Sequence, residues 1–242
     1  MKKFSLKPAL LIGAAIVLLG LSTVNSTQAA LTILSDNYQT DFDVKSIGVT
    51  LQENGEDIAY RDYLHKDDKW SEGTGELLVN LLPASEQYVQ LGEEYDEVLT
   101  VKNSGTIDTY VRVILTKSWK DAYGVKDTKL SPELIQLNVL EKNGWFIGEE
   151  TAERTVLYYK NVLKAGETSP AFTDVISLDP ILMTKNTSYT TDLGNGFKEV
   201  TVVYDYDGYS FVIDAEVDAV QTHNAKDAIK SAWGIDADYV SQ

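Results

Sequence analysis

Apolar and polar residues alternate along much of the chain, and this period of two is typical of half-buried β-strands. It is clear at Ile47, Val49 and Leu51, and again at Leu99 and Val101. Residues 95–119 as a whole predict two antiparallel strands, with Asn103-Ser104-Gly105 between them. Phe42 and Val44 have the opposite parity to Ile47, which predicts a bulge or bend near residues 45–46.

Three later segments predict further strands and turns. Residues 137–145 carry Asn143-Gly144, a tight hairpin signal. Residues 156–160 form an apolar strand that leads to a turn at Ala165-Gly166. The clearest hairpin has strands at 200–204 and 211–217, joined by a turn at Asp207-Gly208.

Helical signals are few. Asn224 can cap a helix over 225–233, with its apolar residues on one face, and Gly234 can end it. Residues 56–73 are charged and predict irregular structure, with a short helix through 58–64.

Many short strands with turn signals and without βα alternation predict an all-β fold. We expect a jelly-roll or Ig-like antiparallel β-sandwich with a short C-terminal helix and a few short helical insertions. The chain has no internal repeat or Pro-rich linker, so residues 30–242 predict a single domain.

The first 29 residues have the three parts of a secretory signal peptide: a basic start, a short apolar core and small residues before the cleavage site. We predict cleavage between Ala29 and Ala30. An uncleaved signal anchor is the alternative, because the uncharged stretch continues to Ser35. Either outcome places the chain in the secreted or cell-surface class.

Composition excludes several kinds of chemistry. The net charge of -16 argues against nucleic acid as a partner. There is no cysteine, which excludes thiol catalysis and thiolate metal sites. The only histidines, His65 and His223, lie far apart and in unlike contexts, so a zinc peptidase site is not indicated.

The remaining candidates have simpler interpretations. Asp205-Tyr206-Asp207-Gly208 resembles a calcium loop but fits an ordinary turn. Glu93-Glu94 and Asp96-Glu97 predict a solvated acidic face, although weak surface calcium binding stays open. Strand aromatics could form a carbohydrate platform, but packing is favoured; they are Trp70, Trp119, Trp145, Tyr158, Tyr159 and Trp233. We predict no catalytic residue, metal site or cofactor.

Four segments in order resemble the TasA/camelysin family. They are 46–55, 101–113, the group 144–145 with 158–163 and 165–168, and 215–221 with 232–234. The resemblance implies a jelly-roll-like sandwich, export with a dedicated signal peptidase and, as in several members, assembly into fibres of the biofilm matrix of Gram-positive bacteria. Its camelysin branch also implies a metallopeptidase, which the missing histidine cluster disfavours.

The start of the mature chain suggests a route to such fibres. Residues 30–35 are uncharged and largely apolar. A free strand of this kind can complete the open sheet edge of a second copy. We name Leu31 and Ile33 as donor-strand candidates; the alternative is that they belong to the signal region or to the protein's own first strand.

The sequence therefore predicts a secreted, non-enzymatic structural protein that assembles with itself, with an accessory matrix protein as a further candidate partner. A monomeric surface adhesion or ligand-binding module is the alternative function.

Overall fold

The computed structural model describes residues 46–64 and 69–240. The strands are β1 Gly48–Glu53, β2 Glu56–Leu64, β3 Lys69–Gly73, β4 Glu94–Asp96, β5 Leu99–Lys102, β6 Thr109–Lys120, β7 Lys126–Asp127, β8 Ile135–Val139, β9 Trp145–Glu150, β10 Arg154–Tyr159, β11 Thr173–Leu178, β12 Asn186–Gly194, β13 Phe197–Tyr204 and β14 Ser210–Gln221. One α-helix, α1, spans Ala225–Trp233, and 3-10 turns lie at Pro132–Leu134, Glu141–Asn143, Pro180–Thr184 and Ala237–Tyr239.

The strands form four antiparallel sheets. Sheet A has the order β3-β2-β1-β5, and sheet C has the order β14-β6-β10-β9 with β7 paired to one end of β6. A three-stranded sheet has the order β4-β11-β8, and β12 pairs with β13 alone. The structure confirms the predicted all-β sandwich with its C-terminal helix and short helical insertions. In the described residues, no helix is both long and apolar enough to cross a membrane.

The main core lies between sheets A and C. Sheet A contributes the apolar faces of β1 and β5, including Leu51 and Val101. Alternate residues of β6, from Val111 to Leu115, point into the same core, as do Trp145 and Leu157. The period of two in the sequence therefore corresponds to one buried face on each strand.

The other face of sheet C packs against α1. Tyr158 contacts Trp233 with ring centroids 5.7 Å apart, and the Arg112 guanidinium lies 5.4 Å from the Trp233 ring centroid. Arg112 also forms an ion pair with Asp218 of β14. The helix prediction is confirmed, and Gly234 ends α1 with φ 72°. Asn224 precedes the helix with φ 52° but makes no side-chain capping bond.

The prediction that residues 56–73 are irregular with a short helix was wrong for residues 56–64 and 69–73, which form β2 and β3. Asn54 and Gly55 both have positive φ, 51° and 88°, and so make a two-residue turn that folds β2 back onto β1. The cross-strand pairing of β2 with β1 outweighs the weak local preference of residues 58–64 for a helix. The predicted bulge or bend near residues 45–46 lies at the start of the described residues, so the structure does not test it.

The strands β5 and β6 exist as predicted, but they lie in different sheets and do not pair. Asn103 explains this, because its Nδ2 donates hydrogen bonds to the carbonyls of Ile107 (2.8 Å) and Leu163 (2.9 Å). Gly105 also lies so close to Gly48 that a Cβ on Gly105 would come within 2.5 Å of the Gly48 nitrogen. Residues 103–108 are therefore a fixed crossover between the two sheets.

Two predicted hairpins were also wrong in their pairing. At Gly144 (φ 88°) the chain turns, but β8 pairs with β11 and β9 pairs with β10. At Asp207-Gly208 there is a turn, but β14 pairs with β6 over twelve residues and β13 pairs with β12. The β12–β13 hairpin turns at residues 194–196, which all have positive φ.

Candidate assembly site

The edge strands of the sandwich differ in how they are covered. The free edge of β5 is covered by the segment 163–173, where Ser169 N–H donates to the Val101 carbonyl (2.7 Å) and Phe172 N–H donates to the Leu99 carbonyl (3.0 Å). We call this side the β5 seam. At the opposite side, β14 pairs only with β6 among the described residues. Its second row of backbone N–H and C=O groups faces away from β6 and can accept another strand.

A groove runs beside the free edge of β14. It consists of a cavity of about 290 Å³ toward Asp218 and another of about 430 Å³ toward Phe211. Both cavities share Leu51, Ala59 and Ala215, so they form one continuous groove between β14 and sheet A. We call this groove, with the free edge of β14, the β14 seam.

Small side chains create the groove. Ala215, Val217 and Ala219 alternate along β14 and pack half-buried against the main core. Across the groove, β2 contributes Ala59, and Gly73 ends β3. Side chains this small cannot fill the space between two sheets that stand about 10 Å apart, so apolar core atoms border the groove.

The chain enters the sandwich at one end of the β14 seam. The Ser46 N–H donates to Thr106 Oγ1 at 2.8 Å, and Ile47 lines a cavity together with Gln221 and His223 at the end of β14. A strand as long as β14 spans about 40 Å, and the 16 residues 30–45 reach about 53 Å when extended. The segment before Ser46 is therefore long enough to cover an edge of this length.

The predicted site residues Ala29, Ala30, Leu31 and Ile33 lie outside the described residues, so the structure places none of them. The sequence analysis named a candidate donor strand but no candidate acceptor for it. The available signal was the run Ala215, Val217, Ala219, which has the alternation of a buried strand but unusually small side chains.

A second unforeseen feature is a buried carboxyl pair, Glu53 and Glu97, with exposed fractions of 6% and 1%. Burial and the neighbouring Glu53 raise the pKa of Glu97 to about 8. Glu53 Oε1 accepts the Leu78 N–H at 2.6 Å. Neither carboxyl oxygen of Glu97 has a hydrogen-bond partner among the described residues, and this burial beside Glu53 favours the neutral, protonated form of Glu97.

The prediction of a solvated acidic face at residues 93–97 was wrong for Glu97. Glu93, Glu94 and Asp96 are exposed, but Glu97 is buried because it shares the parity of Tyr95, Leu99 and Val101. The alternation in the sequence already indicated an inward side chain at this position.

The other candidate residues have plain structural roles. Trp119, Trp145, Tyr158, Tyr159 and Trp233 are buried, which confirms the packing interpretation for these five; the Trp70 side chain lies outside the described part. Asp207-Gly208 is a turn in which Asp207 N–H donates to the Tyr204 carbonyl. His223 is exposed, and His65 lies outside the described residues.

In the described ranges, no three His, Asp or Glu side chains are grouped so as to hold a metal ion. No protein-family model, curated protein or solved structure matches this chain. The resemblance to the TasA/camelysin family therefore stays a prediction from the sequence.

Proposed function

We propose that this chain is a secreted structural subunit that polymerises into extracellular matrix or cell-surface fibres by donor-strand exchange. In this arrangement residues 30–35 of one copy occupy the β14 seam of the next copy. Leu31 and Ile33 pack against the apolar residues that both halves of the groove share, and the backbone of the segment pairs with the free edge of β14. The signal peptidase would expose this segment by cleaving before Ala30.

The observation that carries the proposal is a twelve-residue edge that is unpaired on one side among the described residues, beside a groove whose two halves share the apolar residues Leu51, Ala59 and Ala215. An edge of this length and apolar character is a template for strand addition unless it is covered. Residues Leu31 and Ile33 alternate with Thr32, so both can face the groove while Thr32 faces away. A head-to-tail contact of this kind need not close on itself, and where it does not close it propagates as a filament.

The test compares two matched variants of the chain that starts at Ala30. Ile33→Asp places a carboxylate in the apolar groove and should abolish filaments seen by negative-stain microscopy. Thr32→Asp changes the charge equally but on the opposite side of the strand, and it should leave filaments largely intact. Equal filament formation by both variants would refute the donor strand.

Two further measurements separate the donor from the acceptor. A synthetic peptide of residues 30–45, added in excess, should cap the β14 seam and stop filament growth, whereas the same peptide with Ile33→Asp should not. Lower pH should promote growth, because protonation of carboxylates reduces repulsion between subunits whose net charge falls from -16 to -19 when Lys2, Lys3 and Lys7 are removed. Growth that the wild-type peptide does not affect would contradict the assignment of the acceptor.

The monomeric binding module remains the second candidate because of another cavity. A groove of about 840 Å³ is lined by aromatic and apolar side chains that include Tyr88, Leu182, Tyr206, Tyr209 and Phe211. Its volume is in the range of small-ligand sites. A chain that stays monomeric at all concentrations, in size exclusion and microscopy, would favour this function over fibre formation.

A further inference from the structure

The β12–β13 hairpin is exposed over its whole length. Every residue of Asn186–Gly194 and of Phe197–Tyr204 is exposed, on both faces of the two-stranded ribbon. Among the described residues neither strand pairs with a third. We call this hairpin, residues 186–204, the ribbon.

The ribbon combines this exposure with an apolar surface. Val200, Val202 and Val203 are 61%, 44% and 43% exposed, and Tyr189 is 59% exposed. A two-stranded ribbon without a covering layer is marginally stable in water. Exposed β-branched residues on an unpaired edge are the features that favour pairing with another strand.

Charge identifies the partner. The whole chain has a net charge of -16, but the ribbon contains only Asp192, Lys198 and Glu199, which sum to -1. Its segments 187–191 and 200–204 contain no charged residue at all. Two copies of so acidic a chain can therefore meet here without opposing carboxylates, so a second copy is the occupant that fits.

We propose that the β13 strands of two copies pair antiparallel at this edge and join the two ribbons into one four-stranded sheet. An edge strand is self-complementary under a two-fold axis, so one surface supplies both halves of the contact. With the axis at Thr201, Val200 lies opposite Val202 of the second copy, and Glu199 lies opposite its Val203. This register opposes no like charges and places β-branched side chains across from each other.

This contact is separate from the β14 seam, and it does not depend on the proposed donor strand. A donor-strand contact links subunits head to tail, whereas the ribbon contact is two-fold symmetric and links them side by side. Fibres built from both contacts would bundle laterally, and a chain without residues 30–35 would still form pairs.

Cysteine crosslinking tests the geometry, because the chain has no native cysteine. Single substitutions Glu199→Cys to Val203→Cys are made in the chain starting at Ala30 and in the chain starting at Asp36. Residues opposite each other in an antiparallel pair have Cα atoms about 4.5–5.5 Å apart, which suits a disulfide. Crosslinking should peak at Thr201→Cys and should persist in the shorter chain, which forms no filaments.

Three outcomes would overturn the proposal. Equal crosslinking at all five positions would indicate parallel in-register stacking instead. Crosslinking no stronger than that of the exposed control Tyr123→Cys would mean that the ribbons do not meet. Crosslinking that requires residues 30–35 would make ribbon contact a consequence of filament formation.

A charge variant tests the energetics in the chain starting at Asp36. The double variant Val200→Glu with Val202→Glu places a carboxylate at position 200 of each copy opposite one at position 202 of the other. This repulsion should weaken the dimerisation affinity roughly tenfold or more, as measured by sedimentation velocity. The control Val79→Glu with Val125→Glu adds the same charge at two other exposed valines, 66% and 60% exposed. Equal weakening by both variants, or monomers for the unchanged chain, would contradict the ribbon contact.

Discussion

The β5 seam and the β14 seam border the same core, but within the described residues the chain covers only the first with its own backbone. At the β5 seam, the segment 163–173 supplies main-chain hydrogen bonds and also two buried side chains, Leu163 and Phe172. Trp145 Nε1 ties this segment to the opposite sheet through the Pro170 carbonyl at 2.9 Å. At the β14 seam, small side chains and a groove take the place of such a segment.

The covered seam shows what an occupant of the open seam would have to supply. It would run extended along an edge, donate and accept backbone hydrogen bonds, and bury apolar side chains between the sheets. Residues 30–35 have the composition for this role, because Leu31 and Ile33 are apolar and no charge interrupts them. Under the proposed function, the β5 seam serves the stability of the sandwich and the β14 seam serves assembly.

The largest expected difference between the seams is in stability. Phe172 is fully buried and lies 5.2 Å from Trp145 between ring centroids, so Phe172→Ala should lower the free energy of unfolding by about 3–5 kcal/mol. The half-buried Val217 borders the open groove, and Val217→Ala should cost about 1 kcal/mol or less. Urea unfolding of both variants measures the two costs. Similar losses in the free energy of unfolding for the two variants would contradict the difference between a closed β5 seam and an open β14 seam.

The next effect depends on pH and belongs to the β5 seam. Thr173 Oγ1 donates to the backbone carbonyl of Glu97 at 2.7 Å, so the end of the closing segment contacts the main chain of the residue that carries the buried carboxyl. The pKa of Glu97 is raised to about 8, above its value in the unfolded chain. The folded state therefore holds a proton that the unfolded state has lost, and stability should fall as the pH rises from about 4.5 to about 8.

Glu97→Gln should remove much of this dependence, because the amide stays neutral at every pH. We expect the variant to match the wild type near pH 5 and to exceed it by about 2 kcal/mol near pH 9, in urea unfolding. Glu94→Gln is the control, since Glu94 is exposed on the neighbouring strand and should change neither value by much. A wild type that is equally stable at both pH values would contradict the raised pKa of Glu97.

The comparison also separates what sequence can predict from what it cannot. Alternation at β1, β5 and β6 predicted the strands and their buried faces, because burial of one face acts locally on every second residue. It did not predict which strands pair. The crossover at Asn103 depends on bonds to Leu163, sixty residues away, and the pairing of β14 with β6 joins segments about one hundred residues apart.

The same limit applies to the candidate site. The candidate donor segment is visible in the sequence as a short apolar run, but the candidate acceptor is a space between strands that are distant in sequence. Ala59 and Ala215 become a groove only when the two sheets are stacked. Glu97 is the intermediate case, because its parity showed that it points inward while its partner Glu53 could be found only in the fold.

The smallest expected change in stability accompanies a large change in assembly. Ala215→Leu extends an apolar side chain into the β14 seam, where the groove has room for it, so unfolding should shift by less than about 1 kcal/mol. Filaments should nevertheless be lost, because the side chain takes the space that the donor strand needs. The control Ala84→Leu adds the same group on an exposed loop and should leave filaments unchanged. If Ala215→Leu forms filaments normally, the open seam is not the acceptor; if it destabilises strongly, the seam is already occupied in the monomer.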